Sequence, residues 1–340
     1  MRVVVLGATG NVGTSVLSAL AEREEVEEIV GVARRTPQHV FAKTRFVAAD
    51  VTTADLVSAM RGADAVVHLA WLIQPSRDQR QVQLVNKLGS QRVMRAVAEA
   101  GVPALIYASS VGAYSPAGDD DRRVTEGWPT RGIRTSFYSR HKAWVERALD
   151  HLEAEQPQLR VVRMRPALSF KAAAASEIWR LFIGVVPPLL VRRSLMPVVP
   201  DMPGLRFQVV HSHDVGDAFA RAVISREARG AFNLASEPVL DAPALAKLFR
   251  ARLLPTSPEL ARAAVAAAYR AHLAPVEEGW LDLLLHAPLM DSSRARRELG
   301  WAPAHEARET LTELIDGIGS RRELDTPPLA RTSGPVAVSR

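Results

Sequence analysis

The feature that most constrains this chain is a glycine-spaced turn near its start. The segment "RVVVLGATGNVG" places Gly7, Gly10 and Gly13 directly after a short run of valine and leucine. Glycines at this spacing between a strand and a helix allow a tight turn, the approach of a pyrophosphate to the backbone, and close packing of the helix on the strand. The segment therefore predicts a dinucleotide site at the N-terminus of the first helix, where free N–H groups and a partial positive charge favour phosphates.

Short apolar runs alternate with amphipathic segments over the first 235 residues. Strands that read as continuous valine, isoleucine and leucine, separated by helices, indicate parallel pairing with helices on both faces of a sheet. We therefore predict an α/β fold with a Rossmann-type, doubly wound parallel sheet. The predicted strands are 2–7, 28–33, 45–50, 65–70, 104–109 and 160–165, and the predicted helices lie near 12–22, 54–61, 79–100 and 137–153.

The pattern loosens after Pro166, which indicates a second, smaller unit built late in the chain. Further strands are expected at 207–212 and 230–235, on either side of a helix at 214–226. The predicted division is a dinucleotide-binding domain of residues 1–166 plus about 207–235, a C-terminal substrate-binding lobe of about 167–206 plus 236–320, and a loosely held, flexible tail at 323–340.

Composition excludes several classes of site. The chain has no cysteine, which excludes disulfides, thiolate catalysis and cysteine-ligated metals.

The most apolar segment, 181–191, is too short for a membrane span and is interpreted as buried cover. The start of the chain lacks a signal-peptide pattern, so a cytoplasmic location is expected. The net charge of +6 comes from scattered arginines without a basic patch or binding motif, and no nucleic-acid partner is expected.

The end of the second predicted strand, "VGVARRTP", bears on which dinucleotide binds. Ala33 stands where NAD sites usually carry an acid that holds the ribose 2′-hydroxyl, and Arg34 and Arg35 follow it. Two guanidiniums suit a 2′-phosphate, although in an arginine-rich chain they could simply face solvent. We predict NADP(H) as the preferred cofactor and NAD as the alternative. Asp50, after the third strand, could reach the adenine edge or could cap the following helix.

A tyrosine and a lysine lie one helical turn apart in "SFYSRHKAW", residues 136–144. The chain contains only five lysines against thirty-eight arginines, so the pairing of Tyr138 with Lys142 is unusual here. On a helix the two share one face. A nearby ammonium and the positive nicotinamide ring favour the phenolate and would lower the pKa of Tyr138 from its usual value near 10 towards the working range. The alternative is an ordinary surface pair.

An ordered set of motifs resembles the extended branch of the short-chain dehydrogenase/reductase superfamily, the NAD-dependent epimerase/dehydratase group. The motifs are "GATGNVG", "AADV", "HLAW", "VNKLGSQRV", "YASSVGAYS", "YSRHK", "RMRPA", "VVHSHDVGDAF" and "DSSRARRELGWAP". The resemblance implies that Ser110 hydrogen-bonds the substrate oxygen, that Tyr138 transfers a proton, and that Lys142 orients the ribose. It implies a structural role for Asn86, and a homodimer formed through the helices near 79–100 and 137–153.

The cofactor contacts expected from the motifs and the resemblance lie at the ends of successive strands. They are Gly7, Thr9, Gly10, Asn11, Val12, Gly13, Arg34, Arg35, Asp50, Val51, Leu69, Ala70, Trp71, Ser109, Tyr138, Lys142 and Pro166.

Two departures from the family pattern bear on the reaction. Val111 and Gly112 stand where dehydratases carry an acid pair, which disfavours dehydration. Aligned on His211, Phe207 stands where sugar-nucleotide epimerases carry an arginine, with Arg206 one residue away, and a shift of one residue turns a side chain to the other face of a strand.

The apolar residues 179–200 suggest a substrate less polar than a nucleotide sugar. We therefore predict an NAD(P)-dependent oxidoreductase acting on a carbonyl or secondary alcohol. The alternatives are a nucleotide-sugar epimerase that uses transient hydride transfer and a non-catalytic dinucleotide-binding sensor. His211, His213 and Asp214 could suggest a metal, but we expect none, because no further ligands cluster with them, and interpret Asp214 as a helix cap or polar anchor.

Overall fold

The computed structural model describes residues 1–73, 77–118, 122–184, 187–188, 191 and 197–330. Its strands are β1 (Arg2–Leu6), β2 (Glu28–Ala33), β3 (Thr44–Ala48), β4 (Ala65–His68), β5 (Ala104–Ala108), β6 (Arg160–Pro166), β7 (Leu168–Phe170), β8 (Val198–Asp201), β9 (Arg206–Phe207), β10 (Val209–His211), β11 (Gly230–Leu234), β12 (Leu240–Asp241) and β13 (Arg252–Pro255). Its α-helices are α1 (Asn11–Ala21), α2 (Leu56–Met60), α3 (Gln79–Gln83), α4 (Ser90–Glu99), α5 (Phe137–Glu155), α6 (Ala175–Ile178), α7 (Ser212–Ile224), α8 (Ala242–Phe249), α9 (Pro258–Arg270), α10 (Gly279–His286), α11 (Ser293–Leu299) and α12 (Ala307–Gly319). A π-helical turn, Leu84–Gly89, joins α3 to α4, and a second, Trp179–Ile183, follows α6.

Seven parallel strands form the central sheet in the order β11-β6-β5-β4-β1-β2-β3. From β1 the chain proceeds through β2 to β3 at one edge of the sheet, and then from β4 through β5 and β6 to β11 at the other edge. The direction of the crossover connections therefore reverses between β1 and β4. In open sheets of this kind ligands bind outside the carboxyl ends of the strands at that switch point. The prediction of a Rossmann-type, doubly wound parallel sheet is confirmed.

The hydrophobic core lies on both faces of the sheet, as the apolar strands require. Along β1, Val3 and Val5 pack into the layer that contains α1 and α7, whereas Val4 and Leu6 pack into the layer that contains α2, α4 and α5. Successive side chains of a strand point to opposite faces, so a strand covered on both sides must be apolar throughout.

Two helices that bear on the site are fixed by local contacts. Helix α5 begins after Ser136, whose hydroxyl accepts a hydrogen bond from the Ser139 N–H and caps the helix. Helix α7 lies against α1 at Gly216, where a Cβ would stand 2.5 Å from the Ser15 carbonyl oxygen. Glycine at 216 therefore allows the two helices to approach closely.

Outside the central sheet, short strands pair in three small sheets: β7 with β10, β9 with β12, and β8 with β13. The predicted strand 207–212 is split between two of them. Gln208 separates β9 from β10, and its side-chain amide bonds both the N–H and the carbonyl of Met290. The proposed boundary between a dinucleotide domain and a substrate lobe stays a prediction.

The first part of the predicted tail is packed against the fold. The Thr326 hydroxyl donates to the Thr9 carbonyl at 2.9 Å, and the Leu329 side chain is fully buried. The Arg180 guanidinium donates to the carbonyls of Pro328 and Ala330. The prediction of a loosely held tail is therefore wrong for residues 323–330, and residues 331–340 lie outside the described residues.

The most apolar segment, 181–191, lies partly outside the described residues. Its first residues belong to the π-helical turn Trp179–Ile183, whose side chains are half-buried. Across the described ranges, no helix combines the length and the apolar character needed to cross a membrane.

Candidate active site

The glycine turn follows β1 at the switch point of the sheet. Gly7 has a φ of +79°, and a Cβ there would lie 2.7 Å from the Ala70 nitrogen. A Cβ on Gly13 would lie 2.3 Å from the Gly7 carbonyl oxygen. Both positions therefore require glycine because of the protein's own structure. Gly7 has a left-handed backbone conformation, and at Gly13 helix α1 packs closely on the turn that precedes it.

Gly10 differs from its two neighbours in the motif. A Cβ there would meet only the Gly7 carbonyl oxygen, at an ordinary contact distance of 3.7 Å. The protein's own packing therefore does not require glycine at this position. Gly10 is the N-cap of α1, which has no side-chain cap and no acidic residue in its first turn. The structure thus offers a bare helix N-terminus beside a position that lacks a side chain, and this fits a dinucleotide pyrophosphate.

Other predicted residues of this turn are engaged by the protein. The Asn11 side chain donates to the Ser169 carbonyl and accepts from the Ser212 hydroxyl. Thr9 is buried, and its carbonyl accepts from Thr326. The Thr14 N–H already bonds the Gly10 carbonyl. The N–H groups of the three residues before it, Asn11, Val12 and Gly13, are therefore the ones suited to an anion.

Arg34 and Arg35 directly follow β2 and are both exposed. Neither makes a hydrogen bond or an ion pair with any other described residue. Asp50 has a different arrangement, because its carboxylate accepts from the N–H and the hydroxyl of Thr52 and so closes a local turn. Helix α2 is capped instead by Asp55, so the alternative that Asp50 caps that helix is wrong. Val51 is buried beside Gly89.

The segment after β4 lies against the glycine turn, and the Asn86 side chain holds its backbone in place. The Asn86 side chain accepts from the Leu72 N–H at 2.8 Å and donates to the Leu72 carbonyl at 2.9 Å. This two-point contact fixes the backbone that includes Leu69, Ala70 and Trp71. Asn86 is fully buried, as expected for a residue that satisfies backbone groups.

The end of β5 carries the two predicted serines, which have different partners. The Ser110 hydroxyl accepts from the Gly112 N–H at 3.0 Å and shares a hydrogen bond with Tyr138. The Ser109 hydroxyl donates to the buried carboxylate of Glu146. The side chain of Ser109 is therefore committed to the protein, and Ser110 is the serine that stands with Tyr138.

Tyr138 and Lys142 share one face of α5, and Trp71 packs over both. The Lys142 ammonium lies 3.6 Å from the centroid of the Trp71 ring and 5.8 Å from that of Tyr138. It also donates to the Ala108 carbonyl at 2.7 Å. Gly112 makes room for this arrangement, because a Cβ there would lie 2.9 Å from the Tyr138 ring.

Burial dominates the protonation of this pair. It raises the pKa of Tyr138 to about 12, against the opposing effect of the Ser110 hydrogen bond. It also lowers the pKa of Lys142 well below its usual range, although the nearby Glu146 carboxylate acts in the other direction. In the surroundings that the protein alone provides, desolvation determines the direction of the shift, and the expectation that Lys142 and a nicotinamide ring together lower the pKa of Tyr138 stays a prediction.

A buried ionic network lies beneath the pair. Glu146 follows Lys142 by one helical turn and makes paired hydrogen bonds with the Arg165 guanidinium at 2.8 and 2.9 Å. Arg165 in turn donates to the Tyr114 hydroxyl at 2.9 Å. Hydrogen bonds and charge from Arg165 hold the pKa of Glu146 below its usual value despite burial. Sequence reasoning missed Glu146, although its four-residue spacing from Lys142 is a usable signal.

An apolar cavity of about 330 Å³ opens beside Ser110 and Tyr138. Of the two lining side chains that carry a hydrogen-bonding group, Gln208 is already bonded to the Met290 backbone, whereas the buried Trp280 indole N–H has no partner among the described residues. The lining residues are Val111, Ala167, Leu168, Phe170, Ile178, Phe182, Phe207, Gln208, Trp280, Leu281, Leu283, Leu284, Ala287 and Pro288. Pro166, a predicted cofactor contact, ends β6 just before this lining begins.

The cavity wall adjoins the reactive groups directly. Val111 follows Ser110, and the Trp280 ring lies 5.1 Å from the Tyr138 ring, centroid to centroid. Phe207 faces the cavity, whereas the Arg206 guanidinium donates to the Gly118 carbonyl. Sequence reasoning did not identify Trp280 or α10, since no motif marks the helix that supplies the wall.

The histidine cluster at the start of α7 makes internal contacts. His211 is the N-cap of α7, and its ring stacks on His305 at 3.9 Å. Asp214 accepts from the His305 backbone at 3.1 Å, so it anchors the loop before α12, and the alternative that Asp214 caps the helix is wrong. No cluster of His, Asp and Glu suited to a metal ion occurs among the described residues.

Comparison with known proteins places these features in a wider group. The sequence model of the NAD dependent epimerase/dehydratase family matches residues 3–235. An uncharacterized protein of Mycobacterium tuberculosis is 28% identical over 324 residues, which make up 94% of this chain and 30% of that protein. The chain therefore spans about 30% of the length of the first curated relatives it matches.

Two shorter matches are to proteins named as a reductase and as a dehydrogenase/isomerase. A Synechocystis protein, provisionally named a dihydroflavonol 4-reductase, is 25% identical over 202 residues, or 56% of this chain and 57% of that protein. The 3 beta-hydroxysteroid dehydrogenase/Delta 5→4-isomerase of vaccinia virus is 27% identical over 119 residues, or 33% of this chain and 34% of that protein.

Solved structures share the fold at low sequence identity. MoeE5 in complex with UDP-glucuronic acid and NAD has a TM-score of 0.69 and 23% identity, over 95% of this chain and 100% of that one. The UDP-glucose 4-epimerase of Thermus thermophilus, in complex with NAD, has a TM-score of 0.68 and 20% identity, over 94% and 99%.

Proposed function

The chain belongs to the NAD dependent epimerase/dehydratase family, and from that premise we propose that it is an NADP(H)-preferring oxidoreductase of apolar carbonyl compounds or secondary alcohols. The observation that carries the proposal is the apolar cavity beside Ser110 and Tyr138, whose described lining offers a ligand a single unpartnered hydrogen-bonding group, the Trp280 N–H. A sugar ring or a diphosphate placed there would lose nearly all of its hydrogen bonds to water without replacement, which costs free energy for every polar group.

The residues that would hold the dinucleotide surround the glycine turn. The N–H groups at the start of α1 face the pyrophosphate position, and Gly10 leaves it open. Arg34 and Arg35 offer uncommitted donors for a 2′-phosphate, and Lys142 lies on the side where a ribose would approach. When bound, the nicotinamide supplies or accepts a hydride.

Ser110 and Tyr138 would polarise the substrate carbonyl and complete its reduction. The two hydroxyls are close enough for Ser110 to lower the pKa of Tyr138 through a hydrogen bond, so both would donate to a substrate carbonyl oxygen placed between them. Tyr138, with a pKa of about 12, stays protonated at neutral pH, which is the form required to donate a proton to an oxygen that gains negative charge. In the reverse direction Tyr138 would first lose its own proton to solvent, and its phenolate would then accept the proton of the alcohol while the hydride leaves to the oxidised nicotinamide.

The names of two relatives are consistent with an apolar substrate. One is provisionally a dihydroflavonol reductase and one is a hydroxysteroid dehydrogenase/isomerase, and both names describe fused-ring molecules with a carbonyl or a hydroxyl. The second candidate is a nucleotide-sugar epimerase, favoured by the UDP-sugar complexes among proteins of the same fold. Phe207 in place of an arginine that would contact the diphosphate argues against it. A homodimer and a cytoplasmic location stay predictions from the sequence.

The decisive experiment is a screen of NADPH oxidation against apolar ketones and aldehydes, run beside epimerisation assays on a panel of nucleotide sugars. We expect turnover of apolar carbonyl compounds only. The Tyr138→Phe variant should lose about 10²- to 10⁴-fold in kcat, because the proton donor is gone, and should keep its affinity for NADPH. Tyr269→Phe, on α9, is the matched control and should behave as the natural chain.

The pH profile sharpens the same test. Because reduction needs the protonated phenol and burial raises its pKa, the rate of reduction should stay level from neutral pH upward and decline only as pH rises towards about 12. Conversion of UDP-sugars without net oxidation of NADPH would establish the epimerase instead. Full activity of Tyr138→Phe would remove Tyr138 from the reaction.

A further inference from the structure

Lys171 is a buried lysine that lies behind the glycine turn. Its side chain is 3% exposed, and its ammonium donates to the Thr14 hydroxyl at 2.6 Å and to the Ser15 hydroxyl at 2.8 Å. The Thr14 hydroxyl reaches the Gly10 carbonyl at 3.1 Å. A single hydroxyl therefore links the ammonium to the N-cap residue of α1.

The charge of Lys171 is poorly compensated at this place. The N-terminal end of a helix carries a partial positive charge, so a cation in its first turns is repelled. Within the described part of the chain, no carboxylate forms an ion pair with Lys171. Glu177 and Glu313 act on it only through space, and Glu313 already accepts from the Ala172 N–H and faces the His211 ring. A buried cation without a paired anion is costly, so an anion should offset it.

We propose that Lys171 is a positioning residue for the cofactor, and that its ammonium supplies a buried positive charge behind the N-terminus of α1 for the dinucleotide pyrophosphate. The pyrophosphate is the anion that completes this arrangement. The inference rests on dinucleotide binding at the glycine turn and is independent of the reduction. It also explains why lysine stands here in a chain rich in arginine, since a slim ammonium fits between two hydroxyls where a planar guanidinium would not.

A purely structural role is the competing explanation. Lys171 could serve only to tie the end of β7 to α1 through its two hydrogen bonds. The two roles differ in what they affect: a tie affects stability and all ligands alike, whereas a charge affects phosphate-bearing ligands and depends on salt and pH.

The test compares ADP-ribose, which carries the pyrophosphate, with adenosine, which does not, as ligands in calorimetry. For Lys171→Met we expect roughly tenfold weaker binding of ADP-ribose, the size expected for a unit charge about 10 Å from an anion at an effective dielectric of about 20. Adenosine binding should be unchanged. Lys171→Arg reports whether the charge alone suffices. Lys247→Met, on exposed α8, removes the same net charge as a matched control and should change neither ligand.

The pH dependence of binding separates charge from structure. Burial lowers the pKa of Lys171 to about 8, with Glu177 and Glu313 opposing this, and His213 is the other titratable group that interacts with it. The pyrophosphate of ADP-ribose does not titrate in this range. The affinity of the natural chain should therefore fall as pH rises through about 8 to 9 and increase as salt is lowered, and Lys171→Met should show a weaker dependence on both.

Two results would overturn the proposal. One is unchanged ADP-ribose affinity in Lys171→Met, and the other is an equal loss for ADP-ribose and adenosine. If Lys171→Met does not fold, the pH profile of the natural chain decides, since a flat profile between pH 7 and 9.5 would exclude a titrating lysine behind the site.

Discussion

The cofactor end and the substrate end of the candidate site are lined by groups of opposite polarity. At the cofactor end, backbone N–H groups, exposed guanidiniums and buried ammoniums surround the glycine turn. At the substrate end, a cavity of about 330 Å³ is lined by aliphatic and aromatic side chains, with the Gln208 amide already bonded and the Trp280 N–H as the single unpartnered group of the described lining. Ser110 and Tyr138 stand at the boundary between them.

Under the proposed function, the two ligands would gain their binding free energy in different ways. A charged dinucleotide binds through fixed dipoles and cations, which act over distance and tolerate few substitutions at the turn itself. An apolar substrate binds through the area it removes from water, which many combinations of side chains can provide. The first end should respond to charge and salt, and the second to the volume and polarity of single side chains.

The largest expected effect at the cofactor end concerns Arg34 and Arg35. Replacing both with alanine should lower the preference for NADPH over NADH by roughly 10²- to 10⁴-fold, because each of the two charge-assisted hydrogen bonds to a 2′-phosphate contributes about 1.5–3 kcal/mol. The measurement is the ratio of the two dissociation constants, which cancels general effects on stability. Arg308→Ala, at an exposed position of α12, is the control and should leave the ratio unchanged.

Either of two outcomes would contradict this assignment. A natural chain that binds NADH as tightly as NADPH would mean that the two arginines simply face solvent. A preference for NADPH that persists in the double variant would place the 2′-phosphate elsewhere.

A smaller effect separates two glycines of the same motif. Gly10→Ala should leave the thermal midpoint nearly unchanged, since its Cβ meets only an atom at 3.7 Å, yet weaken ADP-ribose binding by about tenfold, because the methyl stands where a phosphate approaches. Gly13→Ala is the contrasting variant. Its Cβ would lie 2.3 Å from the Gly7 carbonyl oxygen, so it should lower both the thermal midpoint and the affinity. Equal behaviour of the two variants would remove the distinction between a packing glycine and a ligand-facing glycine.

The sequence predicted the cofactor end better than the substrate end, for a physical reason. The glycine turn, the ends of β2 and β4, and the i,i+4 pair on α5 are local patterns, because each depends on the spacing of a few neighbouring residues. Confirmation of the sheet follows from the same locality, since uninterrupted apolar runs can form only strands covered on both faces.

The substrate end depends on contacts distant in sequence, which no spacing reveals. The cavity joins Val111, Phe207 and Trp280, which lie far apart along the chain, and nothing around Trp280 indicates that it packs on Tyr138. Hydrogen-bond partners were equally hidden: Ser109 bonds Glu146, and Gln208 bonds Met290. The effect of burial on the pKa of Tyr138 was hidden for the same reason, because burial is a property of the assembled fold.

The smallest predicted effect tests the substrate end alone. Phe207→Tyr adds one hydroxyl to the cavity wall with almost no change in shape, and the Trp280 N–H is the single unpartnered group among the described lining residues. A buried hydroxyl that is at best partly paired costs about 1 kcal/mol, so kcat/KM for an apolar carbonyl substrate should fall about fivefold, through KM, while NADPH affinity stays the same. Phe46→Tyr, on the edge strand β3, is the matched control, and it should not affect the KM of the substrate. If Phe207→Tyr weakened NADPH binding as much as substrate binding, the two ends would not be separable. If it left the KM of every apolar substrate unchanged, the cavity would not be where the substrate binds.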